Sequence, residues 1–270
     1  MLKRLKNRPR IFGVFSLNYV RRQERLLAEV FSSAAAVAEF QSGGELPAGY
    51  GRGFDERVVE FPWILAKAPA GRVLDAGSTL NHAHVLDAVL PGMDGLTIVT
   101  LAPEPRSFPE RGPSYVYADL RDLPLRDSIF DTAISISTLE HVGMDNSLYA
   151  TGAEERAEDP DRELGRAMEE IRRVTVAGGR LLVTVPYGRP EDLGWLRQFD
   201  AKGLDRLVEL SGGTVAEETI FLYADDCWRH SDREEAAEAS YHMIDREKPA
   251  AAPDGAIAAR AVACLDLRLP

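Results

Sequence analysis

The hydrophobic pattern of this chain changes character near residue 70. Before that point, apolar residues recur at helical spacing over residues 20–40 and again over about 56–67, which predicts two helices. From Arg72 onwards, short apolar runs alternate with segments of helical spacing. Such alternation predicts an α/β domain in which a mostly parallel sheet carries helices on both faces.

Seven apolar runs are predicted to form the strands of this sheet, and the last is expected to return antiparallel. These runs cover residues 73–76, 96–101, 114–118, a run that ends before Ser137, 180–186, 214–223 and 257–269. We predict an N-terminal helical extension or cap over residues 1–55 and a main domain over 56–270. Within that domain, a charge-rich stretch at about 224–256 is expected to be an insert that acts as a lid or recognises the substrate.

The chain is organised around its first predicted strand and the turn that follows it. Asp75 lies at the strand end, Gly77 permits a tight turn, and Asn81 is placed to cap a helix over 83–90. Open α/β sheets bind their ligands at the carboxyl ends of their strands. A ligand site is therefore expected beside Asp75.

This stretch resembles motif I of the class I S-adenosylmethionine-dependent methyltransferases, in which an acid is followed by small residues. Asp75 and Gly77 match, whereas Leu80 and Asn81 stand where the family has later glycines. The resemblance implies a Rossmann-like fold and S-adenosyl-L-methionine as the cofactor. The residues that it implies as cofactor ligands here are Asp75, Ala76, Gly77 and Ser78.

The next two strand ends extend the resemblance. Asp119 and Leu120 match the family positions whose carboxylate and N–H contact adenine, and a carboxylate suits an exocyclic amine because it only accepts hydrogen bonds. A turn cap is the alternative for Asp119. Leu101 stands where the family has its ribose-binding acid, so either Glu104 reaches back or the ribose is held in another way.

The segment from Phe130 to His141 resembles the fourth strand of small-molecule methyltransferases in this class. Ser137 is expected beside the cofactor, with Glu140 and His141 at the mouth of the substrate site. Methyl transfer to a hydroxyl requires orientation and loss of a proton. His141 is the candidate base, and Glu140 could orient it or bind the cofactor's ammonium group. A histidine that packs or caps the start of a helix is the alternative.

Arg57 and Glu60 precede the sheet and are candidates to face the cofactor, since N-terminal helices close over it in many of these enzymes. A surface ion pair is the alternative for them. Residues 143–158 are polar and rich in turn formers, so they are expected to cover the active site. Asp145, Glu191 and Asp192 could hold a divalent cation, but nothing fixes their geometry, and no metal site is predicted.

The composition limits the classes of partner that the chain is expected to bind. A net charge of −11 argues against a general nucleic-acid binder, and no apolar run approaches the ~18 residues of a membrane span. Two cysteines suit a reducing cytoplasm, which is the expected location. The basic first ten residues could touch an anionic membrane surface weakly, and a solvated tail is the alternative. The oligomeric state is left open.

The whole pattern resembles a subgroup of bacterial methyltransferases associated with glycan assembly. It implies methyl transfer to a hydroxyl of a sugar or a related small polar acceptor, in polysaccharide or glycoconjugate biosynthesis. One alternative is a natural-product or lipid-like acceptor. The other is an inactive protein that binds the cofactor or serves as a scaffold, which the departures at Leu101, Leu80 and Asn81 leave open.

Overall fold

A computed structural model describes residues 13–147, 156–244 and 250–270. The basic first ten residues and parts of the segments predicted as inserts lie outside the described residues. The helices are α1 (Leu17–Phe31), α2 (Ala34–Ala38), α3 (Arg57–Ala66), α4 (Ala83–Val89), α5 (Pro160–Val174) and α6 (Ala201–Ser211). The strands are β1 (Gly71–Ala76), β2 (Met93–Thr100), β3 (Ser114–Tyr117), β4 (Phe130–Ile136), β5 (Thr175–Pro186), β6 (Glu191–Asp192), β7 (Arg197–Gln198), β8 (Thr214–Ala224), β9 (Cys227–Ser231) and β10 (Ala261–Arg268).

The main sheet has the strand order β3-β2-β1-β4-β5-β10-β8-β9. Strands β1 to β5 run parallel to one another, and β10 lies between β5 and β8 and is antiparallel to both. Helices cover both faces, because one hydrophobic cluster includes α1, α3 and α4 and the other includes α5 and α6. The predicted α/β class, with a mostly parallel sheet and an antiparallel last strand, is confirmed.

The sheet has eight strands in the described part of the chain, one more than predicted. The additional strand β9 pairs antiparallel with β8 and begins the segment that was expected to be only a charged insert. The two strands are joined at Asp225 and Asp226, whose φ angles are +51° and +63°. Two successive residues with positive φ make a tight hairpin turn, and aspartate tolerates this conformation better than most residues.

The helix predicted over residues 20–40 is interrupted. α1 ends at Phe31, and the side chain of Ser33 accepts a hydrogen bond from the Ala36 N–H at 3.2 Å, which caps a separate helix α2. The domain boundary at residue 55 stays a prediction. Helix α1, before this boundary, and helix α3, after it, contribute to the same hydrophobic cluster. None of the helices in the described residues is long and apolar enough to cross a bilayer.

Candidate active site

A cavity of about 380 Å³ opens at the carboxyl ends of strands β1 to β4. Its size suits a small molecule. Six of the ten residues predicted for the site line it: Gly77, Glu104, Asp119, Leu120, Ser137 and His141. The other four, Asp75, Ala76, Ser78 and Glu140, are buried beside it and do not line it.

The turn after β1 requires glycine at its first position. Gly77 has a φ of +132°, and a Cβ atom there would lie 2.0 Å from the Thr138 Oγ1 atom. Ser78 follows with a φ of +65° and is also buried. This strained turn brings the backbone of β1 to the cavity wall, where functional sites often store such strain.

Asp75 lies beneath this turn and organises it. Its Oδ2 atom accepts a hydrogen bond from the Leu80 N–H at 2.9 Å, and its Oδ1 atom has no hydrogen-bond partner among the described residues. Burial raises the pKa of Asp75 to about 7, although hydrogen bonds from the backbone of Leu80 and Thr79 oppose this effect. A direct contact with the cofactor stays a prediction for Asp75.

Asp119 and Leu120 lie together at the end of β3. Partial burial raises the pKa of Asp119, but hydrogen bonds from Arg121 outweigh burial and hold it below its usual value. The two Asp119 oxygens accept from the Arg121 Nε and Nη2 atoms at 2.9 and 2.7 Å. Within the described residues, the Leu120 N–H makes no backbone or side-chain hydrogen bond. An ionised acceptor next to an available donor matches the edge of an adenine ring.

Glu104 reaches the cavity from the loop after β2. Its Oε2 atom accepts a hydrogen bond from the Asn81 Nδ2 atom at 3.0 Å, and the Asn81 Oδ1 atom accepts one from the Tyr115 hydroxyl at 2.8 Å. Asn81 was predicted to cap α4, and this prediction is wrong. His82 holds the cap position instead and makes no side-chain capping bond. The Asn81 amide is unavailable for capping because it bonds to the loop that carries Glu104.

The far wall of the cavity is tied to α3 by a buried carboxylate. Glu60 is fully buried and pairs with Arg57, which lines the cavity. Its Oε1 atom accepts hydrogen bonds from the Ser137 hydroxyl at 2.6 Å and the Thr184 hydroxyl at 2.5 Å. Ser137 has a φ of +39°, which is unusual for a residue other than glycine. The arrangement sets the Arg57 guanidinium at the cavity wall.

Two further buried carboxyl groups surround this ion pair. Burial and the nearby Asp55 raise the pKa of Glu56 to about 8, and burial raises the pKa of Glu140 well above its usual value. One oxygen of each lacks a hydrogen-bond partner among the described residues. Burial lowers the pKa of Arg57, but the surrounding carboxylates outweigh it and raise the pKa above its usual value. Burial thus favours the neutral form of Glu56 and of Glu140 beside the Arg57–Glu60 pair.

His141 ends a short 3-10 turn after β4. Its Nδ1 atom lies 2.7 Å from the Trp195 carbonyl oxygen, and a carbonyl only accepts, so Nδ1 carries the proton. The Nε2 atom therefore has a lone pair in the neutral ring and lies 3.8 Å from the Glu140 Oε1 atom. Burial lowers the pKa of His141 to about 4, which keeps the ring neutral at neutral pH.

The acids that could have formed a cation site are engaged elsewhere. Asp145 accepts a hydrogen bond from the Ser147 N–H, Asp192 pairs with Arg156, and Glu191 lies 3.7 Å from Arg189. Across 13–147, 156–244 and 250–270, no group of three or more His, Cys, Asp or Glu side chains is arranged to hold a metal ion.

The cavity residues fit an adenosyl cofactor that ends in an amino acid. Carboxylates at Glu104 and Asp119 and the Leu120 N–H lie at the β2–β3 side, which suits ribose hydroxyls and an adenine edge. Gly77 lies at the end of β1, and the Arg57 cation lies near the end of β4. The site combines carboxyl acceptors at one side with a cation at the other.

A family model of known proteins matches the middle of the chain. Residues 96–183 match the family model described as a methyltransferase domain. The match runs from β2 into β5 and so includes every predicted site residue from Glu104 to His141, whereas Asp75 and Gly77 precede it. A search of curated proteins finds no match to this sequence.

Solved structures with a similar fold are distant in sequence. The N-methyltransferase NodS from Bradyrhizobium japonicum, in complex with S-adenosyl-L-homocysteine, is 14% identical, with 80% of this chain and 86% of that chain covered and a TM-score of 0.47. A putative methyltransferase from Bacillus halodurans is 17% identical, with coverage of 76% and 98% and a TM-score of 0.47. The 1,6-didemethyltoxoflavin-N1-methyltransferase from Burkholderia thailandensis is 16% identical, with coverage of 73% and 70% and a TM-score of 0.44. Likeness at this level carries no argument about the acceptor.

Proposed function

We propose that this chain, which is a class I S-adenosylmethionine-dependent methyltransferase, methylates a hydroxyl oxygen of a sugar or a related small polar acceptor. Its class is supported by the match to a methyltransferase domain and by a parallel sheet with an antiparallel β10. A role in polysaccharide or glycoconjugate biosynthesis is the cellular setting that we propose for it.

The observation that carries the proposal is the tautomer of His141. The cofactor, when bound, supplies a methyl group on a sulfonium. Transfer to a hydroxyl would form an oxygen–carbon bond while the sulfur–carbon bond breaks and S-adenosylhomocysteine leaves, and the hydroxyl must release its proton. We assign the acceptance of that proton to the Nε2 lone pair of His141, a residue that lines the cavity. Because its pKa is about 4, the ring is in the neutral, proton-accepting form above about pH 5.

Two aromatic side chains pack beside the His141 ring. Trp195 stacks near the His141 ring at a centroid distance of 5.1 Å, and Tyr241 meets Trp195 edge-on at 6.4 Å. Neither Trp195 nor Tyr241 lines the cavity, so this aromatic pair holds the His141 ring from outside it. We place the acceptor in the cavity, beside His141.

A methyl-transfer screen tests the proposal. Purified protein is incubated with methyl-labelled cofactor and with nucleotide sugars, short oligosaccharides, amines and lipid-like alcohols. We expect label in an ether product of a sugar. His141→Gln should lower kcat by about 10²- to 10⁴-fold while binding of S-adenosylhomocysteine, measured by calorimetry, stays the same.

His242→Gln serves as the matched control, since His242 is another histidine that lies away from the cavity. It should retain full activity. Label found only in amines or lipid-like alcohols, or full activity of His141→Gln with the best acceptor, would contradict the proposal.

A further inference from the structure

The basic residues of this acidic chain are unevenly distributed. Eight of its 32 lysine and arginine residues lie within the first 25 residues, which contain one of its 43 acidic residues. The rest of the chain is therefore strongly acidic. Such separation of charge is typical of proteins that meet an anionic partner with one end.

The start of α1 presents two of these basic residues on a single face. Leu17, Arg21 and Arg25 are four residues apart and share one side of the helix, opposite the buried Tyr19 and Leu27. Within the described residues, neither arginine forms an ion pair. Both guanidinium groups remain available to an external anion.

Exposed apolar side chains lie beside the arginines. Phe15 is 50% exposed and Leu17 is 38% exposed, which makes them two of the few large apolar residues on the described surface. Arg22 flanks this face, with its guanidinium 5.2 Å from the Phe54 ring. Arginines interleaved with an exposed aromatic and an exposed leucine match the polar–apolar boundary of a lipid bilayer.

We propose that the N-terminal basic surface, formed by Phe15, Leu17, Arg21, Arg22 and Arg25, docks the enzyme onto an anionic lipid bilayer. Basic residues near such a bilayer add favourable electrostatic energy, and apolar side chains enter the headgroup region. A nucleic acid would use the arginines and could stack a base on Phe15, but it has no equivalent use for the exposed aliphatic Leu17. A flat bilayer also meets only this face, so the acidic remainder of the chain stays away from it.

The helix that carries the N-terminal basic surface packs against the helix that reaches the cavity wall. α1 packs against α3, and Arg57 at the start of α3 lines the cavity. The surface and the cavity are thus joined through one pair of packed helices.

Vesicle flotation with the full chain tests the proposal. Vesicles of phosphatidylcholine are compared with vesicles that contain about one-third phosphatidylglycerol, at low and high salt. We expect binding to the anionic vesicles alone, and weaker binding as salt increases. Arg21→Gln with Arg25→Gln should lower the partition constant by about fivefold for each arginine removed, and Phe15→Ser with Leu17→Ser should lower the binding that persists in salt.

The matched control removes the same charge elsewhere. Arg126 and Arg268 are exposed and form no ion pair within the described residues, so Arg126→Gln with Arg268→Gln should bind as the unmodified chain does. The proposal is overturned by absence of binding to anionic vesicles, by an equal loss in the control pair, or by unchanged binding after removal of Phe15 and Leu17. Tighter binding to single-stranded RNA than to vesicles would assign the surface to nucleic acid instead.

Discussion

Replacing Asp75 with asparagine separates its charge from its shape. An asparagine at this position does not ionise, but its side-chain oxygen can still accept the hydrogen bond that Asp75 takes from the Leu80 N–H at 2.9 Å. The side chain is completely buried, so the change in charge occurs in a region of low dielectric constant. Asp75→Asn therefore isolates the cost of ionising a carboxyl group beneath the turn.

The magnitude follows from the two pKa values of the group. Burial raises the pKa of Asp75 from 3.8 to about 7 in the folded chain, so the folded state holds this proton more tightly than the unfolded state. The contribution of Asp75 to stability is complete below pH 3.8 and is lost as the pH rises through about 7. Between about pH 4.5 and pH 8, the loss amounts to roughly 3 kcal/mol.

Urea unfolding at these two pH values measures the effect. The free energy of unfolding of Asp75→Asn, relative to the unmodified chain, should rise by about 3 kcal/mol from the lower to the higher pH. Asp131→Asn is the control, since the Asp131 carboxylate also accepts a backbone N–H, from Arg72 at 2.8 Å, but is exposed. The free energy of unfolding of Asp131→Asn, relative to the unmodified chain, should change little between the two pH values. A constant or falling difference for Asp75→Asn would show that Asp75 is ionised in the folded chain and would refute the argument.

Two further substitutions test the walls of the cavity. Gly77→Ala should lower the free energy of unfolding by about 2–4 kcal/mol, because of strain at positive φ and the clash with Thr138. Gly95→Ala, where a Cβ atom meets nothing within 4 Å, should cost much less. Thermal unfolding compares the two variants, and equal shifts in Tm would contradict the clash. Glu60→Ala leaves the Arg57 guanidinium without its ion-pair partner at the cavity wall and should cost about 3–5 kcal/mol. Urea unfolding measures it, and a loss below about 1 kcal/mol would mean that water or another carboxylate replaces Glu60.

The parts of the site that follow from sequence are those carried by strand ends. Asp119 and Ser137 each come directly after an apolar run, and parallel neighbours bring such positions to one edge of the sheet. That rule brings Asp119 and Ser137 to one edge of the sheet, the resemblance adds Glu104 and His141, and the structure brings these four together around one cavity. Whether each contacts the cofactor stays a prediction.

The parts that sequence could not supply depend on pairs far apart in the chain. Glu60 meets Ser137 and Thr184 across 77 and 124 residues, and no local pattern signals such contacts. The candidate role of Arg57 and Glu60 was visible only as a charged pair before the sheet. Strand β9 is concealed for a different reason, because the surrounding segment is rich in charge and the strand is short, with Trp228 as its one buried residue.

The loop after β2 carries Glu104, the first acid that follows Leu101 in the chain. An acidic residue directly at the strand end would be held in place by the backbone of the sheet. Glu104 lies three residues further along, in a loop, so its side chain needs other contacts to hold it in position. Asn81 supplies that support: its amide donates to the Glu104 Oε2 atom and also to the Arg106 carbonyl, each at 3.0 Å. The position where the resembled motif has a glycine thus holds a side chain that positions Glu104. We predict that Glu104 takes the ribose-binding role of the acid that Leu101 replaces, in which case the departure at Asn81 compensates for the departure at Leu101.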